Sequence, residues 1–262
     1  MGRQEFKYLV PMSRLDSIRS YLASYLYPDP YAERQPDGQY RVRSLYFDTL
    51  SLDAYYTKLA GVRVRRKFRI RGYDDIDSTD TTFLEVKRKD VSVVSKSRFP
   101  VPFDELSHLL DTGDYGNCCT GKFIRQSASN FLYYYIQRNL RPVIKIIYDR
   151  EAYFSRFDPD LRITFDKNIC SSAETSIESL PTEQRSRLIR PGYFILEVKT
   201  TKVFPNWLTY MITALKLRCE ALSKYTMGID KFRVTERFNP YYQTQNRPSE
   251  LSGYSLREEY QT

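Results

Sequence analysis

The stretch VRVRRKFRIRGY (residues 62–73) decides the reading of this chain. Arg63, Arg65, Lys67, Arg69 and Arg71 share one parity; Val62, Val64, Phe68 and Ile70 share the other, with Arg66 as the exception. In a strand, alternate residues face opposite sides, so one face is apolar and the other is a row of cations about 6.6–6.8 Å apart. Like charge repeated along a strand is costly unless the face is solvated or carries anions. One strand alone fits a solvated face of an ordinary sheet.

Other segments repeat the pattern. Glu5 and Lys7 share a face in residues 3–10, Glu85, Lys87 and Lys89 in residues 82–89, and Glu197 and Lys199 in residues 193–200. Each ExK set lies opposite an apolar face. Arg41 with Arg43, Lys96 with Arg98, and Arg162 with Thr164 extend the ionic set. A sheet that is apolar outside and ionic inside predicts an antiparallel β barrel with a polar lumen, covered by amphipathic helices. Many cations with a few carboxylates suit a phosphate chain with a divalent metal held by hard oxygen ligands.

Capping and apolar spacing predict a helix over residues 13–26, with Ser13 and Asp16 as its capping signal. Further helices are expected at residues 51–59, through much of 103–139, and after Pro205. Strands are expected at 40–48, 62–73, 82–89, 93–101, 142–149, 161–166 and 193–200. The order LYFD (45–48), RIR (69–71), LEVK (84–87) returns as IYDR (147–150), RIT (162–164), LEVK (196–199). This order suggests two related halves. Residues 1–235 read as one domain; residues 236–262, polar and tyrosine-rich, read as a mobile tail.

Composition narrows the function. The chain has 262 residues, with 41 Lys plus Arg against 32 Asp plus Glu, a net charge of +9 that favours anionic partners. Its single histidine, His108, lies in an ordinary amphipathic segment, which leaves little room for Ser–His–Asp or Cys–His chemistry. Cys118, Cys119, Cys170 and Cys219 form no CxxC pair, so neither a metal cage nor a disulfide framework is indicated. Glycine-rich phosphate loops are absent, and no apolar run is long enough to span a bilayer. A cytoplasmic location is expected. Aromatic residues (15%) do not alternate with the cations as a base-stacking platform requires, so nucleic acid is not an expected partner.

The run EFKY (5–8), SLYFDT (44–49), RIRGY (69–73), LEVK (84–87), KSR (96–98), LRITFD (161–166), LEVK (196–199) and SKY (223–225) resembles the VTC domain, the polyphosphate-polymerase branch of the triphosphate tunnel (CYTH-like) metalloenzymes. The resemblance implies an α+β fold: an eight-stranded antiparallel β tunnel covered by helices. It implies Lys7, Arg69, Arg71, Lys87, Lys96, Arg98, Arg150, Arg162, Lys199 and Lys224 as phosphate ligands. Glu197 is implied as the main metal ligand, with Glu5 and Glu85 as helpers for Mn²⁺ or Mg²⁺. Lys224 and Glu197 carry the catalytic roles by the same likeness. A second lysine expected three residues before Lys224 is Ala221 here.

The implied activity is transfer of the γ-phosphoryl of ATP, or of another nucleoside triphosphate, to a growing polyphosphate chain. Hydrolytic members begin ExExK, whereas this chain reads RQEFK. Phe83 and Ile195 likewise stand where a second carboxylate would precede Glu85 and Glu197. Scarce carboxylates favour polymerisation over hydrolysis. The alternatives are a triphosphatase or other triphosphate-processing tunnel enzyme, and a non-catalytic polyphosphate binder. A membrane protein partner is left open.

Overall fold

Ten strands build one antiparallel sheet in a computed structural model that describes residues 3–90, 93–114 and 122–238. In chain order the elements are β1 (Gln4–Pro11), α1 (Leu15–Leu22), β2 (Leu26–Pro28), α2 (Pro30–Glu33), β3 (Tyr40–Asp48) and α3 (Asp53–Leu59). Next come β4 (Val64–Tyr73), β5 (Thr81–Asp90), β6 (Val93–Pro102), α4 (Leu106–Thr112) and α5 (Lys122–Gln137). The chain continues with β7 (Arg141–Ser155), β8 (Arg162–Ser172), β9 (Arg187–Leu188) and β10 (Tyr193–Thr200). Three helices follow, α6 (Asn206–Ala214), α7 (Lys224–Lys231) and α8 (Val234–Phe238).

The fold is α+β and antiparallel, as the sequence predicts, but it has ten strands instead of eight. Eight run in the order β1-β10-β8-β7-β3-β4-β5-β6; the short β2 and β9 flank β7 and β8. The added strands are three and two residues long, too short to show a period of two. The repeated motif order corresponds to the halves of this path: β3, β4 and β5 run outward on one side of the centre, β7, β8 and β10 on the other.

The sheet curls until its ends face each other. Lys87 of β5 lies 2.8 Å from Glu5 of β1, although these strands stand near opposite ends of the path. On the outer face, α1 and α6 cover β1, β8 and β10 with Leu15, Ile18, Leu22, Leu208 and Met211 against Val10, Ile163, Leu196 and Val198. The helices α4 and α5 cover the other half, with Leu106, Leu109, Leu110 and Phe131 against Phe68, Ile70, Leu84 and Phe99. Burial of this apolar area, at about 25 cal/mol per Å², is the main force fixing the curl. Arg66, the parity exception, faces outward and places its guanidinium 4.8 Å from the Tyr134 ring centroid.

Three sequence expectations need correction. The first helix starts at Leu15 after a 3₁₀ turn, Met12–Arg14, and ends at Leu22; Leu26 belongs to β2. Neither Ser13 nor Asp16 makes the expected cap, because the turn precedes it. Arg41 and Arg43 face outward, not into the ionic lumen. Arg41 pairs with Asp149 at 2.9 Å and Arg43 with Glu183 at 3.0 Å, beneath the chain between β8 and β9. Lys145 shares that outer layer, donating to the carbonyls of Ser179 and Thr182. The tail from residue 239 onward, with Cys118 and Cys119, lies outside the described residues; Cys170 and Cys219 are free thiols, and His108 is exposed.

Candidate functional site

Strand register assembles the ionic face. In the β1–β10 ladder Glu5 stands opposite Lys199 and Lys7 opposite Glu197, so two antiparallel ExK segments present each charge to its opposite. Across β10–β8, Glu197 meets Thr164 and Lys199 meets Arg162; across β8–β7, Asp166 meets Arg150. On the other half Arg69 stands opposite Glu85 and Tyr46. Cross-strand pairs of opposite charge stabilise a sheet, and here they also order a lattice of long side chains.

The result is a cavity of about 450 Å³. Lys7, Arg69, Arg71, Lys87, Arg150, Lys199, Lys224, Glu5 and Glu197 all line it. Glu85, Lys96, Arg98 and Arg162 do not. Glu85 is buried and pairs with Arg69 (2.6 Å), Lys96 (2.5 Å) and Arg98 (3.5 Å). Arg98 lies against the Phe83 ring, 3.3 Å from its centroid, and Arg162 bonds Asp29 at 2.8 Å. Tyr31, Tyr40, Tyr73 and Phe83 cluster in this region, with ring centroids 4.9–6.1 Å apart. These four predicted residues therefore belong to the packed end of the lumen.

The helix α7 enters the curl on the inner face of β7. Gly228 permits the approach: a Cβ there would lie 2.5 Å from Ile146 Cδ1 and 3.2 Å from Ile144 Cγ1. Ser223 caps the helix by accepting from the Thr226 amide. Asp48, in the SLYFDT segment, accepts from the Ala54 and Tyr55 amides and from the Tyr225 hydroxyl at 2.5 Å. Thus SLYFDT and SKY meet through Asp48 and Tyr225. This contact fixes the start of α7 and with it Lys224.

Lys224 donates to Asp166 at 2.5 Å, and Arg150 holds the same carboxylate at 2.6 and 2.8 Å. Burial would raise the Asp166 pKa, but Arg150 and Lys224 outweigh it and bring it down to about 2. Asp166 is the residue that sequence reasoning missed. The signal was present, since residues 162, 164 and 166 share one strand face. Tyr148 was missed as well; Lys224 sits 4.6 Å from its ring centroid and Arg150 5.2 Å. The Tyr148 hydroxyl also accepts from Arg71 at 3.3 Å.

Glu197 is buried. Burial alone would raise its pKa, yet Lys199, Lys7, Lys224 and Arg150 hold it well below the usual carboxylate range. Lys199 lies 2.9 Å away and Arg150 3.9 Å. Among the described residues no three His, Cys, Asp or Glu side chains converge as a metal cage. The donors at this point still suit a hard divalent ion: Glu197, nearby Glu5 and the buried Thr164 hydroxyl, which has no hydrogen-bond partner among the described residues. Such an ion is commonly held by one or two carboxylates and completed by substrate phosphates. Glu85, held by three cations away from the cavity, does not fit that role.

Fold and cavity together define an α+β β-tunnel protein with a cation-rich lumen. The VTC domain model matches residues 2–233, and the chain belongs to that family. It is 24% identical to vacuolar transporter chaperone complex subunit 4 of Schizosaccharomyces pombe, over 87% of this chain. The chain spans about a third of that relative, 36% of its length. Among solved structures it is similar to a putative adenylyl cyclase from Hippeastrum, described as having a dominant triphosphatase activity. The likeness there is 14% identity and TM-score 0.48, covering 88% of this chain and 96% of that one. A protein from Pyrococcus horikoshii OT3, PH1819, matches at 13% identity and TM-score 0.45, covering 87% and 99%. Among the described residues no helix is long and apolar enough to cross a membrane.

Proposed function

We propose that this protein is a metal-dependent polyphosphate polymerase, transferring the γ-phosphoryl of ATP to a phosphate chain end inside the cavity. The observation that carries this reading is the charge balance around Glu197. Seven of the predicted phosphate-binding cations share its cavity, but only Glu5 and Glu220 accompany it as acidic lining residues. Such a site favours holding a long anion over assembling a second metal or directing a water.

Glu197 and Glu5 would hold Mg²⁺ or Mn²⁺, which would supply charge neutralisation for the substrate's phosphates when bound. Lys199 and Lys7 keep Glu197 ionised for that task. Arg69, Arg71, Lys87 and Arg150 bind phosphate oxygens and align the chain end with the transferring group. Lys224, fixed by α7 and Asp166, stabilises charge on the group in transfer. No general base is needed, because a terminal phosphate oxygen is already an anion; positioning and electrostatics carry such a transfer. Lys96, Arg98 and Arg162 act on the lumen from its packed end. The likeness to a complex subunit supports assembly with partner subunits, and the cytoplasm as the site of work belongs to the same proposal.

Turnover and polyphosphate affinity measured on three variants test the roles. Glu197→Gln is expected to remove most metal-dependent turnover while binding persists. Arg69→Ala is expected to weaken binding itself, by about 1.5–3 kcal/mol for a lost charge-assisted bond. Lys224→Ala should depress turnover more than affinity. Full metal-dependent activity in Glu197→Gln would contradict the metal role.

A further inference from the structure

Three of the four most exposed large apolar side chains among the described residues stand on one side of the molecule: Val203 (90%), Phe157 (72%) and Tyr210 (69%). Specific contacts bring them together. Lys202 pairs with Asp158 at 3.3 Å, which sets Val203, in the chain entering α6, beside Phe157 of the β7–β8 turn. The Arg156 amide of the same turn donates to the Tyr25 carbonyl at 2.9 Å. The Tyr25 ring stacks on Trp207 of α6, with centroids 4.5 Å apart. Tyr21 donates to the Trp207 carbonyl at 2.8 Å, and its ring lies 6.5 Å from that of Tyr210.

Core packing does not account for this surface. The helix α6 turns Leu208 and Met211 to the core, yet residues 203–215 hold no charged side chain in a chain that is 28% charged. A surface helix ordinarily carries charge on its outer side. Here that side presents Thr209, Tyr210 and Thr213. The charge stands around the patch instead. Arg14, Arg156, Lys216 and Arg218 are exposed, and among the described residues none of the four pairs with a carboxylate. Arg14 reaches the Leu215 carbonyl at 3.2 Å, at the end of α6. The neighbouring acids are engaged: Asp16 holds Arg19 at 2.7 Å, Asp158 holds Lys202, and Asp160 accepts from the Thr201 hydroxyl at 2.8 Å.

We propose that this face docks on a membrane surface rich in anionic phospholipid, with Phe157, Val203 and Tyr210 entering the headgroup region. Tyrosine and tryptophan suit that zone, where one end of the ring meets apolar matter and the other meets water. The four unpaired cations match the negative headgroups. A second copy of the chain is a poorer occupant, since a two-fold contact through this face would bring the same cations against one another. The inference does not depend on the polymerase reading.

The test uses Trp207, the single tryptophan of the chain, as a reporter within the patch. Vesicles of phosphatidylserine and phosphatidylcholine are expected to shift its emission to shorter wavelength, and bromine-labelled acyl chains to quench it. Pure phosphatidylcholine vesicles should bind about tenfold or more weakly. Phe157→Ser/Val203→Ser should lower affinity for the mixed vesicles about tenfold or more, and Arg156→Ala/Lys216→Ala should lower it and flatten its salt dependence. All four side chains are exposed, so these replacements leave the core intact. Vesicle binding that leaves Trp207 emission unchanged would mean attachment through another face, such as the cation-rich cavity mouth, and would overturn the proposal. Equal binding to both vesicle types, or to neither, would overturn it too. So would a shift that grows with protein concentration in the absence of lipid, which would mark self-association.

Discussion

The Lys224 ammonium donates to the Asp166 carboxylate at 2.5 Å, joining the first residue of α7 to the middle of β8. Asp166 is fully buried and also holds Arg150. Removing one partner of a buried ion pair leaves an uncompensated charge, at a cost of about 3–5 kcal/mol. Asp166→Asn is therefore expected to lower unfolding free energy by that order in denaturant titration. Turnover should fall more than polyphosphate affinity, because the lysine loses its anchor while the other cations remain. Unchanged stability and turnover would remove Asp166 from the site.

Much of this arrangement was legible in the sequence, and the losses have physical causes. Strict alternation in RIR, LEVK and EFK worked because each strand has one apolar face packed on helices and one ionic face in the lumen. Alternation fails on β3, which is buried almost throughout. Arg41 and Arg43 read as lumen cations there, although the chain between β8 and β9 supplies Glu183 to satisfy them outside. The link between Asp48 and Tyr225 spans 177 residues, and no local spacing reveals a contact that distant. Lys67 was visible in its row, but its lack of a carboxylate partner became apparent only in three dimensions.

Acid should destabilise the protein in a defined window. The Asp166 pKa lies at about 2 in the folded chain against an ordinary 3.8, while those of Glu85, Glu151 and Glu197 are also lowered. Between the folded and unfolded values the unfolded chain binds more protons, so stability rises with pH there. The stabilisation is complete above the ordinary carboxylate values and is lost as pH falls through the folded ones, to about 2 for Asp166. Thermal melts from pH 7 down to pH 2 check this. In Asp166→Asn the acid limb should be shallower than in wild type.

Tripolyphosphate should raise the melting temperature. A ligand that binds only the folded state stabilises it, and relief of repulsion between Arg69 and Arg71 and between Lys7 and Lys87 adds to the effect. High salt should shrink the shift by screening. A melting temperature indifferent to tripolyphosphate at low salt would count against an anion-holding cavity.

The most direct measurement of the central claim is incubation of the protein with γ-labelled ATP and Mn²⁺, resolving the products by gel. Label is predicted to appear in a ladder of lengthening polyphosphate, abolished by Glu197→Gln and strongly reduced by Lys224→Ala. Label released only as orthophosphate, with no chain longer than the substrate's own, would contradict polymerisation and identify the cavity as a hydrolytic one.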